Sequence, residues 1–194
     1  MRDKQEYIDQ WATNRPHVPM PIIDGTVSSV SFEQLIKEKI WPVKPNDVLY
    51  VDTSRLCAGY VVPPFQRPLV WEQAREQAFV ESAWLGFHLG VIVWNDAGDG
   101  ISSCGRFHRT DRWLIDGQQR LTALTRYAAD AFPIFVGTQH EHRYSDLNIS
   151  ERRRFNSFQI GSARISTTDE AKLRHLYNVM AFDGGVPHDE DQRA

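Results

Sequence analysis

One stretch of the sequence changes from strand character to helix character within a few residues, and it restricts the possible folds more than any other: RWLIDGQQRLTAL, residues 112–124. Residues 113–115 are bulky and apolar, as in a buried strand, whereas apolar residues recur at the helical period from Leu121 onward. The glycine between them permits a sharp turn or a close approach of another chain segment. Asp116 and Gln119 have the spacing of a capping box. The pattern therefore predicts a strand, a tight loop and a helix whose first turn follows the glycine.

The start of this helix is a suitable place for an anion. The first amide groups of a helix lack intrahelical partners, and the helix dipole favours negative charge at that end. Arg120 adds a planar set of donors that suits phosphate, and Gln118 and Gln119 can donate to a ligand or accept from it. Asp116 does not suit a simple anion site, and it can cap the helix, bind Mg²⁺ or orient a water. Strand–loop–helix units without any ligand are also common, so the residues alone leave these alternatives open.

A second segment of interest lies upstream: VPPFQRPLVW, residues 62–71. Its prolines favour extended backbone and hold Gln66 and Arg67 on a stiff piece of chain. A stiff segment loses less entropy when its side chains bind a ligand. The pattern is equally typical of an edge strand with a solvated arginine.

Together and in this order, the two segments resemble the N-terminal domain of the GmrSD-type restriction family. Residues 116–120 are similar to the DGQQR motif of that family, and residues 62–71 are similar to its proline-flanked QRP segment with a following tryptophan. The resemblance covers roughly residues 59–190 and is weaker in the middle. It implies a ParB- and sulfiredoxin-like α+β fold, with a small mixed sheet and flanking helices. Short strands that alternate with helices are typical of the same fold class.

The resemblance also implies a function. In the wider ParB-like group the corresponding loop holds nucleotide phosphates, and in the GmrSD-type domain the motif is tied to nucleotide hydrolysis and, in some members, to DNA cleavage. Carried onto this sequence, it implies catalytic roles for Asp116, Arg120 and Arg67, with Arg67 in the same pocket as Arg120. It implies a nucleoside triphosphate as substrate or ligand, and Mg²⁺ bound at Asp116. The other residues expected to contact the nucleotide are Gln66, Gly117, Gln118, Gln119, Gly184 and Gly185.

Three classes of function stay open on the sequence. The first is the nucleotide hydrolase just described. The second is a module that binds a nucleotide or modified DNA without turnover, which is favoured by Ala181 at a position where the family has an asparagine. The third is a metal-dependent DNA nuclease, although no clear set of metal ligands is visible. Relatives usually carry a further nuclease domain, so the expected partners are DNA and a separate nuclease subunit or restriction complex.

Composition sets broader limits. The chain has 194 residues, of which 41% are hydrophobic and 24% charged, as in an ordinary globular protein with one core. The net charge of −3 does not indicate a nucleic-acid binder, but residues 106–126 contain five arginines and two aspartates and can face phosphates. Cys57 and Cys104 match no metal motif. With no apolar run of ~18 residues and no signal-peptide core at the N-terminus, we expect a cytoplasmic protein without membrane contact.

Local patterns predict the domain organisation and the remaining elements. We expect an N-terminal arm over residues 1–30, the ParB-like domain over residues 31–190 and a tail over residues 191–194. The acidic loop 95–100 and the pair His140 and His142 are interpreted as a hairpin loop and exposed loop histidines rather than metal sites. The predicted elements are a helix capped by Ser31 and Gln34, a strand at 49–52, a helix at 71–85, a strand at 89–94, a strand at 132–136, a short helix near 151–154, paired strands at 158–160 and 163–165, and a helix capped by Thr167 and Glu170.

Overall fold

The structure is a computed structural model that describes residues 27–37, 55–97 and 108–183. Within these residues the fold is α+β, with a small mixed sheet and flanking helices, as the sequence predicts. Several predicted features lie outside the described residues: the strand at 49–52, part of the acidic loop, most of the N-terminal arm, and Gly184 and Gly185.

The strands are β1 (Val27–Ser31), β2 (Leu56–Cys57), β3 (Tyr60–Val61), β4 (Val91–Asn95), β5 (Leu114–Asp116) and β6 (Gln159–Ile165). The helices are α1 (Phe32–Lys37), α2 (Gln73–Trp84), α3 (Gln118–Ala128), α4 (Ile149–Asn156) and α5 (Glu170–Asn178), with a 3-10 turn at Tyr144–Asp146 and a π-helical turn at Val179–Asp183.

The main sheet has four strands in the order β1-β6-β4-β5. Strand β6 pairs with β1 antiparallel and with β4 parallel, and β4 pairs with β5 antiparallel. The short hairpin β2–β3 joins the motif strand through a parallel bridge between Val61 and Trp113. This hairpin leads directly into the proline-flanked segment, so the topology places that segment next to β5.

Successive residues of the strands face two separate core clusters. On one side, Ile92, Leu114 and Ile160 pack with apolar residues of α1, α2, α3 and α4. On the other side, Val93 and Ile115 pack against α5. Because neighbouring residues of a strand point to opposite faces, the motif strand β5 is buried on both faces and holds the start of α3 firmly.

The prediction of two paired strands around Gly161 is wrong, because residues 159–165 form the single strand β6. Gly161 provides close approach rather than a turn. A Cβ atom there would lie 2.9 Å from Cγ2 of Val91 and 3.2 Å from the carbonyl oxygen of Gly90. The absence of a side chain at Gly161 therefore allows β4 and β6 to lie close together where their parallel pairing begins.

The predicted strand at 132–136 is also wrong. Phe132 and Ile134 are fully buried, but only an isolated bridge links Ile134 to His142. Phe135 has a φ of 54°, in the left-handed region, which breaks an extended strand. The run of apolar residues at 132–136 therefore reflects side chains that are buried from a loop rather than from a strand.

Two predicted helix caps can be compared with the structure, and one of them is confirmed. Ser31 and Gln34 form the predicted capping box, with the Gln34 amide donating to Oγ of Ser31 at 3.2 Å and the Ser31 amide to Oε1 of Gln34 at 2.9 Å. At α5 the cap is Asp169, whose carboxylate accepts from the amide of Ala171 at 2.9 Å, so the predicted cap at Thr167 is wrong.

None of the helices in the described ranges is long and apolar enough to cross a membrane.

The helical period over residues 71–85 predicts a buried face that includes Ala74, Ala78 and Leu85, and this prediction is wrong in part. Ala74, Ala78 and Leu85 are exposed, whereas α2 buries Glu76 and Val80, together with Ala83. The buried side packs against α3, and the Glu76 carboxylate forms an ion pair with Arg126 of that helix. A buried glutamate does not register in a search for apolar periodicity.

Candidate functional site

The loop between β5 and α3 depends on Gly117 for two reasons. Its φ of 108° is one that residues with a Cβ rarely adopt. A Cβ at this position would also lie 2.7 Å from Cγ2 of Ile92 and 3.2 Å from its Cβ. Strand, glycine loop and helix are therefore confirmed, and the loop lies tightly against the centre of the sheet.

Helix α3 begins without a side-chain cap. Gly117 is the N-cap residue, and the first intrahelical bond runs from the Leu121 amide to its carbonyl at 2.9 Å. The predicted capping box of Asp116 and Gln119 is wrong, because both side chains bind other partners. The amides of the first turn thus remain at the helix start without a capping side chain, where the dipole is positive.

Arg120 links three parts of the motif region. Its guanidinium donates to the carbonyl oxygens of Leu89 at 3.1 Å and Val91 at 2.9 Å, and to Oδ2 of Asp116 at 2.5 Å. Gly90 allows this approach, since a Cβ there would lie 2.4 Å from Nη1 of Arg120. The side chain of Arg120 is 19% exposed and that of Asp116 is 45% exposed. Arg120 therefore anchors α3 to the start of β4, and Asp116 presents a partly exposed carboxylate at the loop.

Two glutamines join the proline-flanked segment to the DGQQR motif. Gln66 is buried and donates from Nε2 to the carbonyl oxygen of Leu114 in the motif strand. Gln119 is also buried, and its Oε1 accepts from the amides of Val70 and Trp71, both at 3.2 Å. The Nε2 of the same side chain donates to the carbonyl oxygen of Pro68 at 3.1 Å. The structure thus brings together the two segments that carry the sequence resemblance.

Arg67 and Gln118 are partly exposed at this junction. The amide of Arg67 donates to the hydroxyl of Tyr177 at 3.2 Å, and this ties the segment to α5. Arg55 also contacts this segment and donates to three of its carbonyl groups. Neither Arg55 nor Tyr177 is among the site residues that the sequence predicts. No local signal identifies either one, because their partners lie far away or in the backbone.

Cys57 lies next to the DGQQR motif. Sγ of Cys57 is 3.6 Å from the carbonyl oxygen of Gln118 and 3.4 Å from Oγ1 of Thr122. Burial raises the pKa of the Cys57 thiol, and the hydrogen bond to Thr122 offsets this only in part. A buried thiol with a raised pKa is a poor nucleophile, so Cys57 contributes packing to the loop.

Ala181 lies in the π-helical turn after α5. It is half-buried and packs against the core cluster that includes Tyr177. At this place the chain therefore presents a methyl group among apolar neighbours.

The other candidate clusters take part in local structure. Nδ1 of His142 lies 2.6 Å from the carbonyl oxygen of His140, and the ring of His142 packs edge-on against Trp84. Asn95, at the start of the acidic loop, is buried and donates to the carbonyl oxygen of Thr110 at 2.8 Å. No three His, Cys, Asp or Glu side chains converge as a metal site within the ranges 27–37, 55–97 and 108–183.

Several arginines of the segment 106–126 form ion pairs. Arg109 pairs with Glu170 at 2.6 Å, and Arg126 pairs with the buried Glu76, in addition to the pair at the motif. Arg106 lies outside the described residues. The expectation that this segment faces phosphates remains a prediction.

Comparison with known proteins gives one match. A family model described as "GmrSD restriction endonuclease, N-terminal domain" matches residues 48–183, more than two thirds of the chain. No curated protein and no solved structure matches the sequence. The matched range contains both the proline-flanked segment and the DGQQR loop.

Proposed function

The chain belongs to the GmrSD restriction endonuclease N-terminal domain family, and on that premise we propose that it binds and hydrolyses nucleoside triphosphates in DNA restriction or phage–host conflict. We further propose that it shares the ParB-like phosphate-binding loop. One observation carries the proposal: the junction at which Gln66 and Gln119 join the proline-flanked segment to the start of α3. Two motifs far apart in the chain meet there around an uncapped helix terminus.

The phosphates of the nucleotide would lie at the start of α3. Amides of a helix's first turn and the positive end of its dipole favour phosphate groups. No acidic residue lies in the first turn of α3, so no carboxylate of that turn opposes an anion. Gln118 is partly exposed at this end and would donate to a phosphate or ribose oxygen.

Asp116 fits a Mg²⁺ ion that arrives with the nucleotide. Mg²⁺ in phosphate sites is commonly held by one or two carboxylates together with phosphate oxygens and waters. Asp116 supplies one partly exposed carboxylate, and only its Oδ2 is used in the ion pair with Arg120. When bound, the ion would neutralise charge on the phosphates. Arg120 would hold the Asp116 carboxylate in place while its other bonds fix α3 to β4.

Hydrolysis requires a water oxygen to attack the terminal phosphorus while the bond to the bridging oxygen breaks, which yields inorganic phosphate and a nucleoside diphosphate. Negative charge then spreads over the transferred group and the leaving oxygen. Arg67 would stabilise that charge with its guanidinium, held on a segment that the glutamines fix in place. Loss of one such positioned donor commonly lowers kcat about 100-fold to 1,000-fold.

A second candidate function is nucleotide or modified-DNA binding without turnover. It is favoured by Ala181, because an apolar methyl group cannot hydrogen-bond a ligand or coordinate a metal as the asparagine expected there could. Binding alone would stabilise the folded protein by mass action but release no phosphate.

The test combines melting temperatures with phosphate release. ATP, GTP, CTP and UTP are each assayed with Mg²⁺, with and without DNA, on the wild type, Asp116→Asn and Arg153→Ala. Arg153 is exposed on α4, away from the junction, and serves as the matched control. We expect one nucleotide to raise the melting temperature of all three proteins and to be hydrolysed by the wild type and the control only. A melting shift without phosphate release would establish the binding module instead, and the absence of both signals with every nucleotide would refute nucleotide binding and hydrolysis alike.

A further inference from the structure

We infer that Arg55 is a positioning residue for Arg67, an inference that rests on the proposed function. Arg55 lies just before β2, and its own backbone is fixed by the hairpin, since its carbonyl accepts from the Val62 amide at 2.9 Å. Its guanidinium therefore emerges from the base of the hairpin, beside the point where the proline-flanked segment begins. No motif includes this residue.

The guanidinium of Arg55 forms hydrogen bonds with three backbone carbonyl groups. Nη1 donates to the oxygens of Pro63 at 3.3 Å and Gln66 at 3.2 Å, and Nη2 donates to the oxygen of Arg67 at 3.3 Å. The segment turns sharply here, since the Gln66 amide donates to the Pro63 carbonyl at 3.1 Å. Carbonyl oxygens that point at one place repel each other unless a donor lies between them. The planar fork of an arginine can serve all three, whereas a lysine ammonium is a compact point charge on a flexible stem.

The peptide groups on both sides of Arg67 are thereby held. Its amide donates to the hydroxyl of Tyr177, and its carbonyl accepts from Arg55. The neighbouring groups are held as well, because Gln119 binds the carbonyl of Pro68 and the amides of Val70 and Trp71. The backbone that carries the Arg67 side chain has little freedom left, so binding a ligand through Arg67 costs little further backbone entropy.

Arg55 acts on the chemistry only through this backbone. A displacement of about 1 Å in a positioned group can lower a rate by about two orders of magnitude. Replacing Arg55 by lysine keeps the charge and much of the side-chain volume but removes the fork. We expect Arg55→Lys to lower kcat/KM about tenfold to 100-fold, and to speed amide hydrogen exchange within residues 66–71.

The experiment measures both quantities on the full chain. Hydrogen exchange of residues 66–71 and phosphate release from the preferred nucleotide with Mg²⁺ are compared for the wild type, Arg55→Lys, Arg67→Ala and the double variant. Arg152→Lys is the control, because Arg152 also donates to a backbone carbonyl, that of Ser145 at 2.7 Å, but is exposed on α4. The control should match the wild type in both measurements.

The double variant separates positioning from general stability. If Arg55 acts through Arg67, Arg55→Lys should reduce turnover in the wild-type background and change it less than twofold when Arg67 is already alanine. A loss of similar size in both backgrounds would overturn the positioning role, and so would unchanged exchange at residues 66–71. Absence of turnover in the wild type would refute the proposed hydrolysis itself, whereas wild-type turnover that Arg55→Lys leaves intact would refute only the inference about Arg55.

Discussion

Gly117→Ala tests how the central loop is built. The substitution forces a Cβ into a left-handed backbone with a φ of 108° and places it 2.7 Å from Cγ2 of Ile92. The backbone term costs about 1–2 kcal/mol, and the crowding of a packed core adds about 1–3 kcal/mol. We therefore expect a loss of about 2–5 kcal/mol, a large share of the roughly 5–15 kcal/mol that holds a domain folded.

The matched controls are Gly86→Ala and Gly137→Ala. Both glycines have positive φ, 79° and 76°, but a Cβ at either position meets no atom within 4 Å. Each control should therefore lose only the backbone term, about 1–2 kcal/mol. Urea unfolding followed by far-UV circular dichroism, with a common m-value, measures all three differences. Equal losses at Gly117 and the two controls would refute the close approach of the loop to Ile92.

Three further predictions concern the surroundings of the motif. Gln119→Ala should lower stability by about 1–3 kcal/mol, because it removes three hydrogen bonds between a buried side chain and partly buried backbone groups; a melting temperature equal to that of the wild type would contradict the link. Arg126→Ala should cost about 3 kcal/mol in urea unfolding by leaving the buried Glu76 carboxylate unpaired, and adding Glu76→Gln should recover most of the loss. Burial raises the pKa of Asp111, so in the folded protein this carboxyl group keeps its proton at pH values above its ordinary pKa of about 3.9. The free energy of unfolding therefore falls as the pH rises through the raised pKa. Asp111→Asn should flatten that fall in a series of urea titrations, and an unchanged pH profile would count against the shift.

The parts of the fold that local chemistry determines were predictable. The apolar strand, the glycine and the helical period after it identified the unit β5–α3, and the pair Ser31 and Gln34 identified the start of α1. Each of these depends on residues a few positions apart. The α+β class followed from the same alternation of short strands and helices.

The long-range hydrogen bonds of the site were not predictable from local pattern. Arg120 binds carbonyl groups 31 and 29 positions earlier in the chain, and Gln119 reaches across 51 positions to Pro68. Spacing alone assigned Gln119 to a capping box with Asp116, whereas each side chain has a partner that the fold supplies. Two paired strands were likewise predicted on either side of Gly161, although this glycine serves close approach within one strand, because a glycine can indicate either a turn or a close approach.

The same bonds join the two segments on which the sequence resemblance rests. The proline-flanked segment supplies Gln66 and Arg67, and the DGQQR loop supplies Gln119 and an uncapped helix start. Neither segment forms the junction alone. Substitutions that loosen one segment should therefore weaken whatever the other one binds.

The rate of phosphate release by the wild type and Arg67→Ala, at saturating nucleotide with Mg²⁺, tests the central claim most directly. We expect turnover by the wild type and a loss of about 100-fold or more in the folded variant, because Arg67 would stabilise charge on the transferred phosphoryl group. Equal rates in the two folded proteins, or no release by the wild type from any nucleotide, would contradict it.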